Sequence, residues 1–190
     1  MAVQLQKVTK NDGGVKLKKG FQKVKMTCQW DSDADVDIQA FVLKDGRAEK
    51  DTDFVYYYNQ DYVNQNGDVA VHHLGDARTG RGDGDDETIM VDLTKLEPQK
   101  NEVLFTISIN NAVEKGQHLG NIGWLICTLY DATTDIPIAQ YNVEEDMFGE
   151  VAGKLCRVVK INGDTKFEAV GEGADDLASM VEEVGIQVTD

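Results

Sequence analysis

The chain has 190 residues, 41% hydrophobic and 28% charged, which is long enough to bury a core without a disulfide framework. Its 19 basic and 34 acidic residues leave a net charge of −15. That balance largely rules out a general nucleic-acid binder and argues against docking on an anionic membrane, because both draw their affinity from cationic side chains.

Charge is unevenly spread along the chain. Residues 1–30 carry seven lysines and one acid, Asp12, whereas residues 31–92 hold fourteen aspartates and two glutamates against five bases. The opening MAVQLQKVTK lacks an apolar signal core, and no run approaches the ~18 apolar residues of a membrane span. A cytoplasmic protein starting at its own N-terminus is expected.

From residue 24 onward the dominant period is two. Val24, Met26, Cys28 and Trp30 alternate with Lys25, Thr27 and Gln29, and Ile38, Ala40 and Val42 alternate with Asp37, Gln39, Phe41 and Leu43. Val103, Phe105, Ile107 and Ile109 oppose Leu104, Thr106 and Ser108, and Trp124, Ile126, Thr128 and Tyr130 oppose Leu125, Cys127 and Leu129. Shorter runs fall at residues 54–58, 69–73, 88–92, 136–141, 155–161 and 167–170, separated by Gly, Asn and Asp clusters. Half-buried strands produce this alternation. About ten short strands without long helical patterns between them predict an all-β chain, an antiparallel β-sandwich forming one domain over residues 1–190. One helical turn is expected near residues 111–116. A C-terminal helix is expected to start on Asp175 or Asp176, to present Leu177, Met180, Val181 and Val184, and to stop at Gly185. Cys28, Cys127 and Cys156 are odd in number and unclustered, which fits buried core thiols rather than a disulfide framework or a zinc site.

The chemistry concentrates in residues 75–87, GDARTGRGDGDDE. Four glycines permit sharp turns, and among them stand Asp76, Asp83, Asp85, Asp86 and Glu87. Such close carboxylates repel unless solvated or neutralised. Calcium takes six to eight oxygen ligands, backbone carbonyls among them, which suits an acidic glycine-rich loop. A second cluster, WDSDADVDIQ at residues 30–39, fails as an EF-hand, because Val36 and Val42 stand where Gly and Glu are required. Its Asp35 and Asp37 instead share one face at the mouth of a strand. Asn59, just past the tyrosine run, is a candidate neutral oxygen ligand there. His72, His73 and His118 lack metal-pair spacing and read as ordinary strand and loop residues. The tripeptide Arg81-Gly82-Asp83 lies inside the acidic loop, and a single glycine-aspartate repeat does not make a solenoid. GxSxG, Walker A and HExxH motifs are absent, so nucleophilic, phosphate and zinc chemistry find no support.

Several pieces together resemble the tellurite-resistance TerD family of bacterial stress proteins. They are VKLKKGFQKV near the start, DVDIQAF at residues 35–41, DFVYYYN at 53–59, GDARTGRGDGDDE at 75–87, VDL at 91–93, GQHLGNI at 116–122 and KFEAVGEG at 166–173. The resemblance spans nearly the whole chain, and the acidic loop is its most specific part. Thr165 and Gln39 depart from the family pattern without removing a charge. What the resemblance implies is a calcium-binding β-sandwich holding about two ions at one end. Carried over by position, the ligands are Asp35, Asp37, Asn59, Asp76, Asp83, Asp85, Asp86 and Glu87. The implied function is a non-enzymatic stress-response protein whose ions shape an interaction surface for other proteins of the same system, with the inner membrane surface as one place of action. The alternatives are a metal-dependent hydrolase, for which only Arg78 and Arg81 offer a nearby base or cation, and a cyclic-nucleotide binder, for which no basic phosphate cradle exists.

Overall fold

The structure is a computed structural model that describes residues 6–7, 15–16, 21–81, 86–143, 147–161 and 164–188. Two sheets face each other, as the alternation predicts. The first contains β1 (Gln6–Lys7), β3 (Lys23–Trp30), β6 (Asp61–Val63), β7 (Val69–His73), β8 (Glu87–Asp92), β10 (Leu125–Asp131) and β11 (Ile136–Asn142), in the order β1-β11-β10-β3-β8-β7-β6. The second contains β2 (Val15–Lys16), β4 (Val36–Leu43), β5 (Phe54–Val55), β9 (Glu102–Ile109), β12 (Ala152–Ile161) and β13 (Asp164–Ala174), in the order β2-β13-β12-β9-β4-β5. Every described pairing is antiparallel except that of β1 with β11. Among the described residues α1 (Ala112–Lys115) falls at the expected turn and α2 (Leu177–Glu183) near the C-terminus, with a 3-10 turn at Asp51–Asp53.

The inner faces make the main core. Val24, Met26, Cys28 and Trp30 of β3 meet Val36, Ile38, Ala40 and Val42 of β4 and Val103, Phe105, Ile107 and Ile109 of β9. The expectation of half-buried strands fails for β4 and β9, which are buried along both faces. Their outer face has two coverings. Toward one end Phe41, Leu43, Phe54 and Leu104 lie under Val181, Val184 and Ile186, in and just after α2. Toward the other end the face is polar and bonds to itself. Gln39 Nε2 donates to the Asp37 carbonyl and to Ser108 Oγ, while Thr106 Oγ1 donates to Gln39 Oε1. Gln39, one of the departures from the family pattern, is thus the hub of a satisfied buried network, without which its amide would cost several kcal/mol to bury.

Asp176, rather than Asp175, caps α2: its Oδ1 accepts the Ser179 N–H at 2.7 Å. Gly185 follows at φ +98°, a left-handed position that closes the helix. The run at residues 54–58 is strand only at Phe54–Val55, beyond which Phe41, Phe54 and Tyr56 stack their rings at 4.5 Å spacings. The polar stretch at residues 61–68 holds a strand, β6, around buried Tyr62.

Candidate cation site

The site grows from a gap in the second sheet. β5 pairs only with Ala40 and Phe41 of β4, so the edge of β4 stands open on either side of Ile38. An unpaired N–H and C=O buried there would each cost about as much as a lost hydrogen bond. The first sheet supplies their partners. Glu87 Oε2, from the start of β8, accepts the Ile38 N–H at 2.7 Å. His73 Nε2, from the end of β7, lies 3.2 Å from the Ile38 carbonyl and 3.5 Å from Glu87 Oε2. The Gly75 N–H donates to His73 Nδ1, which assigns the ring proton to Nε2 and makes that nitrogen the donor. Glu87 and His73, both fully buried, therefore stitch the two sheets together at this end.

Asp37 flanks that stitch. It is only 8% exposed, and among the described residues none donates a hydrogen bond to its carboxylate. Carboxylate oxygens of Asp37, Asp76 and Glu87 all lie within 4.8 Å of one another. Burial pushes the Asp37 carboxyl up to about 7, and the charges of Glu87, Asp35 and Asp76 push the same way against a weaker pull from His73. Burial also raises the Glu87 carboxyl, opposed by His73 and by the N–H groups of Ile38 and Ala77. Asp37 and Glu87 are buried and Asp76 is exposed at their rim, and carboxylates this close repel, which favours a proton or a cation among them. A cleft of about 470 Å³ opens beside Asp37 and gives it a route to solvent.

The remaining sequence-predicted residues divide. Asp35 lies one residue before β4, where its carboxylate accepts the Asn110 side-chain N–H at 3.0 Å, and Asp37 feels its charge. Asp86 turns away: its carboxylate accepts the Trp30 N–H at 3.1 Å and its N–H donates to the Cys28 carbonyl, extending the edge of β3. Asn59 donates from Nδ2 to the Phe54 carbonyl at 2.6 Å, closing the tyrosine turn. Asp83 and Asp85 lie outside the described residues. Arg81 is engaged by Asp33, and Arg78 Nε stands 3.6 Å from Asp76. The sequence reading missed His73. Its signal was the two-residue offset from Val71, a core residue on the same face of β7.

The TerD domain family matches residues 1–183 of this chain. Tellurium resistance protein TerD of Serratia marcescens is 32% identical over the whole of both chains. General stress protein 16U of Bacillus subtilis (strain 168) is 30% identical over 99% of this chain and all of its own. The crystal structure of a homologue of telluride resistance protein (TerD) from Streptomyces coelicolor A3(2) shares the fold, with a TM-score of 0.69 at 18% identity over 88% of this chain and all of that one. By full-length similarity and by fold, this chain belongs to the TerD family of tellurium-resistance and stress-response proteins.

Proposed function

We propose that this protein is a calcium-binding stress-response protein without catalytic activity, in which Asp37, Asp76 and Glu87 form the nucleus of the cation site. The observation that carries the reading is the buried carboxylate of Asp37, without a hydrogen-bond donor among the described residues, within 4.8 Å of two others. The donor set fits a hard cation. It consists of oxygens, and the one nearby imidazole has both nitrogens engaged by backbone, which disfavours zinc or copper. Asp35, whose charge Asp37 feels, is our candidate to extend the shell, and Asn59, Asp83, Asp85 and Asp86 are assigned to a second ion at the same end. A bound cation would supply charge neutralisation and hold the loops around residues 31–37 and 75–87 in one arrangement. That rigid end is the surface we assign to protein partners of the same stress system in the cytoplasm. Among the described residues no helix is long and apolar enough to cross a membrane.

The hydrolase reading loses support at the same atoms. His73 is fully buried and bonded at both nitrogens, and Arg81 is engaged by Asp33, so neither is placed to move a proton on a substrate.

Calorimetric titration of chelated protein tests the proposal. Calcium should bind with micromolar or tighter affinity and magnesium more weakly, because magnesium dehydrates reluctantly and demands octahedral geometry. Asp37→Asn and Glu87→Gln should each weaken calcium binding by about tenfold or more, the loss of one charged contact. Undetectable calcium binding, or equal affinity for both ions, overturns it.

A further inference from the structure

The sandwich buries all three thiols, and two of them meet. Cys28 of β3 and Cys127 of β10 are direct cross-strand partners with their Sγ atoms 3.6 Å apart, although 99 residues separate them in sequence. The backbone defines the kind of pair. The Cys28 carbonyl accepts the Asp86 N–H, and the Trp30 N–H, two residues on, points the same way to the Asp86 carboxylate. A strand residue sends its N–H and C=O to one side, so Cys28 bonds toward β8 and faces β10 in a non-hydrogen-bonded pair. Such pairs bring Cα atoms to about 4.5 Å, with side chains close. Disulfides span Cα separations of roughly 4.4–6.8 Å, so rotation of the two side chains suffices to join the sulfurs without moving a strand.

We propose that Cys28 and Cys127 are a site of reversible oxidation that closes a cross-strand disulfide when the protein meets hydrogen peroxide. One sulfur attacks a peroxide oxygen and breaks the O–O bond, giving a sulfenic acid and one water. The second sulfur attacks the sulfenic sulfur, the S–O bond breaks, and the hydroxyl leaves as water with the second thiol's proton. Two thiols and one peroxide thus become one disulfide and two waters, with two electrons passing from sulfur to oxygen. Burial raises the Cys28 thiol well above its usual range, so the folded protein should react slowly. The bridge would anchor β3 to β10 immediately behind Asp86 and Glu87, since Glu87 is the partner of Cys28 on the opposite side of β3. Cys156, on β12 in the other sheet, shares the same core and is the competing partner for Cys127.

Folded, reduced full-length protein is incubated with hydrogen peroxide, its remaining thiols are blocked, and its peptides are mapped by mass. Two of the three thiols should disappear. They should reappear as a Cys28–Cys127 linked peptide lighter by two hydrogens, and dithiothreitol should restore both. Cys156→Ala should give the same linked peptide, and Cys28→Ala should give none. Should Cys28→Ala fail to fold, the wild-type map and Cys156→Ala still decide. Survival of all three thiols, sulfinic or sulfonic acids in place of the link, or a Cys127–Cys156 peptide overturns the proposal.

Discussion

At Asp37 burial and neighbouring charge act together, with no hydrogen-bond donor to its carboxylate among the described residues to offset them. In the absence of a cation its proton does that work, which sets the sign of a pH effect. The Asp37 carboxyl lies at about 7 in the fold, against 3.8 unperturbed. Between those values the folded state therefore holds a proton that the unfolded state has lost. Stability of the chelated protein should accordingly be greatest below the unfolded value and should fall as pH rises toward 7, by up to ~1.4 kcal/mol per pH unit from this one group. Glu87 acts in the same direction. Urea unfolding of chelated protein between pH 4.5 and 8 (roughly the window these shifts define) measures it, and Asp37→Asn should flatten the slope. Glu87→Gln supplies an independent reading. Its amide oxygen still accepts the Ile38 N–H, yet the largest neighbouring charge on Asp37 is gone, so the Asp37 carboxyl should titrate lower in carbon-detected NMR. An unchanged titration would mean that the two carboxylates are not neighbours in solution. Only part of this group could be read from the chain. Asp37, Asp76 and Glu87 each stood out by acidic crowding, but His73 has no acid beside it in sequence and joins them only because β7 and β4 lie in facing sheets.

At the scale of elements, α2 and the loop before β8 invite opposite tests. α2 covers the apolar half of the outer face of β4 and β9 and starts on the Asp176 cap. Asp176→Ala should cost about 1 kcal/mol in urea unfolding, because the Ser179 N–H loses its cap. Gly80 is different. It donates its N–H to the Ser32 carbonyl, and a Cβ there would run into the ring and the carbonyl of Trp30. Gly80→Ala should cost roughly 1–3 kcal/mol and also weaken cation binding, since Gly80 ties the acidic loop to the segment that leads into Asp35 and Asp37. Retained affinity in that variant would separate the two acidic segments. The strands themselves announced their presence through the period of two, but not their coverage. Asp37 and Gln39 share an outer face with Phe41 and Leu43, so β4 reads as half-exposed while its polar half is sealed by Ser108 and Thr106 and its apolar half by α2. Tyr62 likewise sits in a stretch whose Asp61, Asn64, Gln65, Asn66 and Asp68 hid β6, and the tyrosine run promised a longer β5 than the stacked rings and the Asn59 turn allow.

Over the whole molecule, a net charge of −15 favours the bound state of any small cation and opposes the compact state that lacks one. The central claim is that the acidic end of the sandwich uses calcium for that neutralisation. The direct measurement is the melting of chelated protein with calcium or magnesium added, in wild type, in Asp37→Asn and in Asp61→Asn. The last variant removes an equal charge from an exposed pair with His72, outside the carboxylate group. Calcium at a hundred times its dissociation constant should raise the wild-type midpoint by roughly 5–10 °C, the equivalent of about 2.7 kcal/mol in a chain of this length. Asp61→Asn should respond like wild type, magnesium should give a smaller shift, and Asp37→Asn should lose most of the calcium response. A full calcium shift in Asp37→Asn, or the same shift with magnesium, would contradict the account.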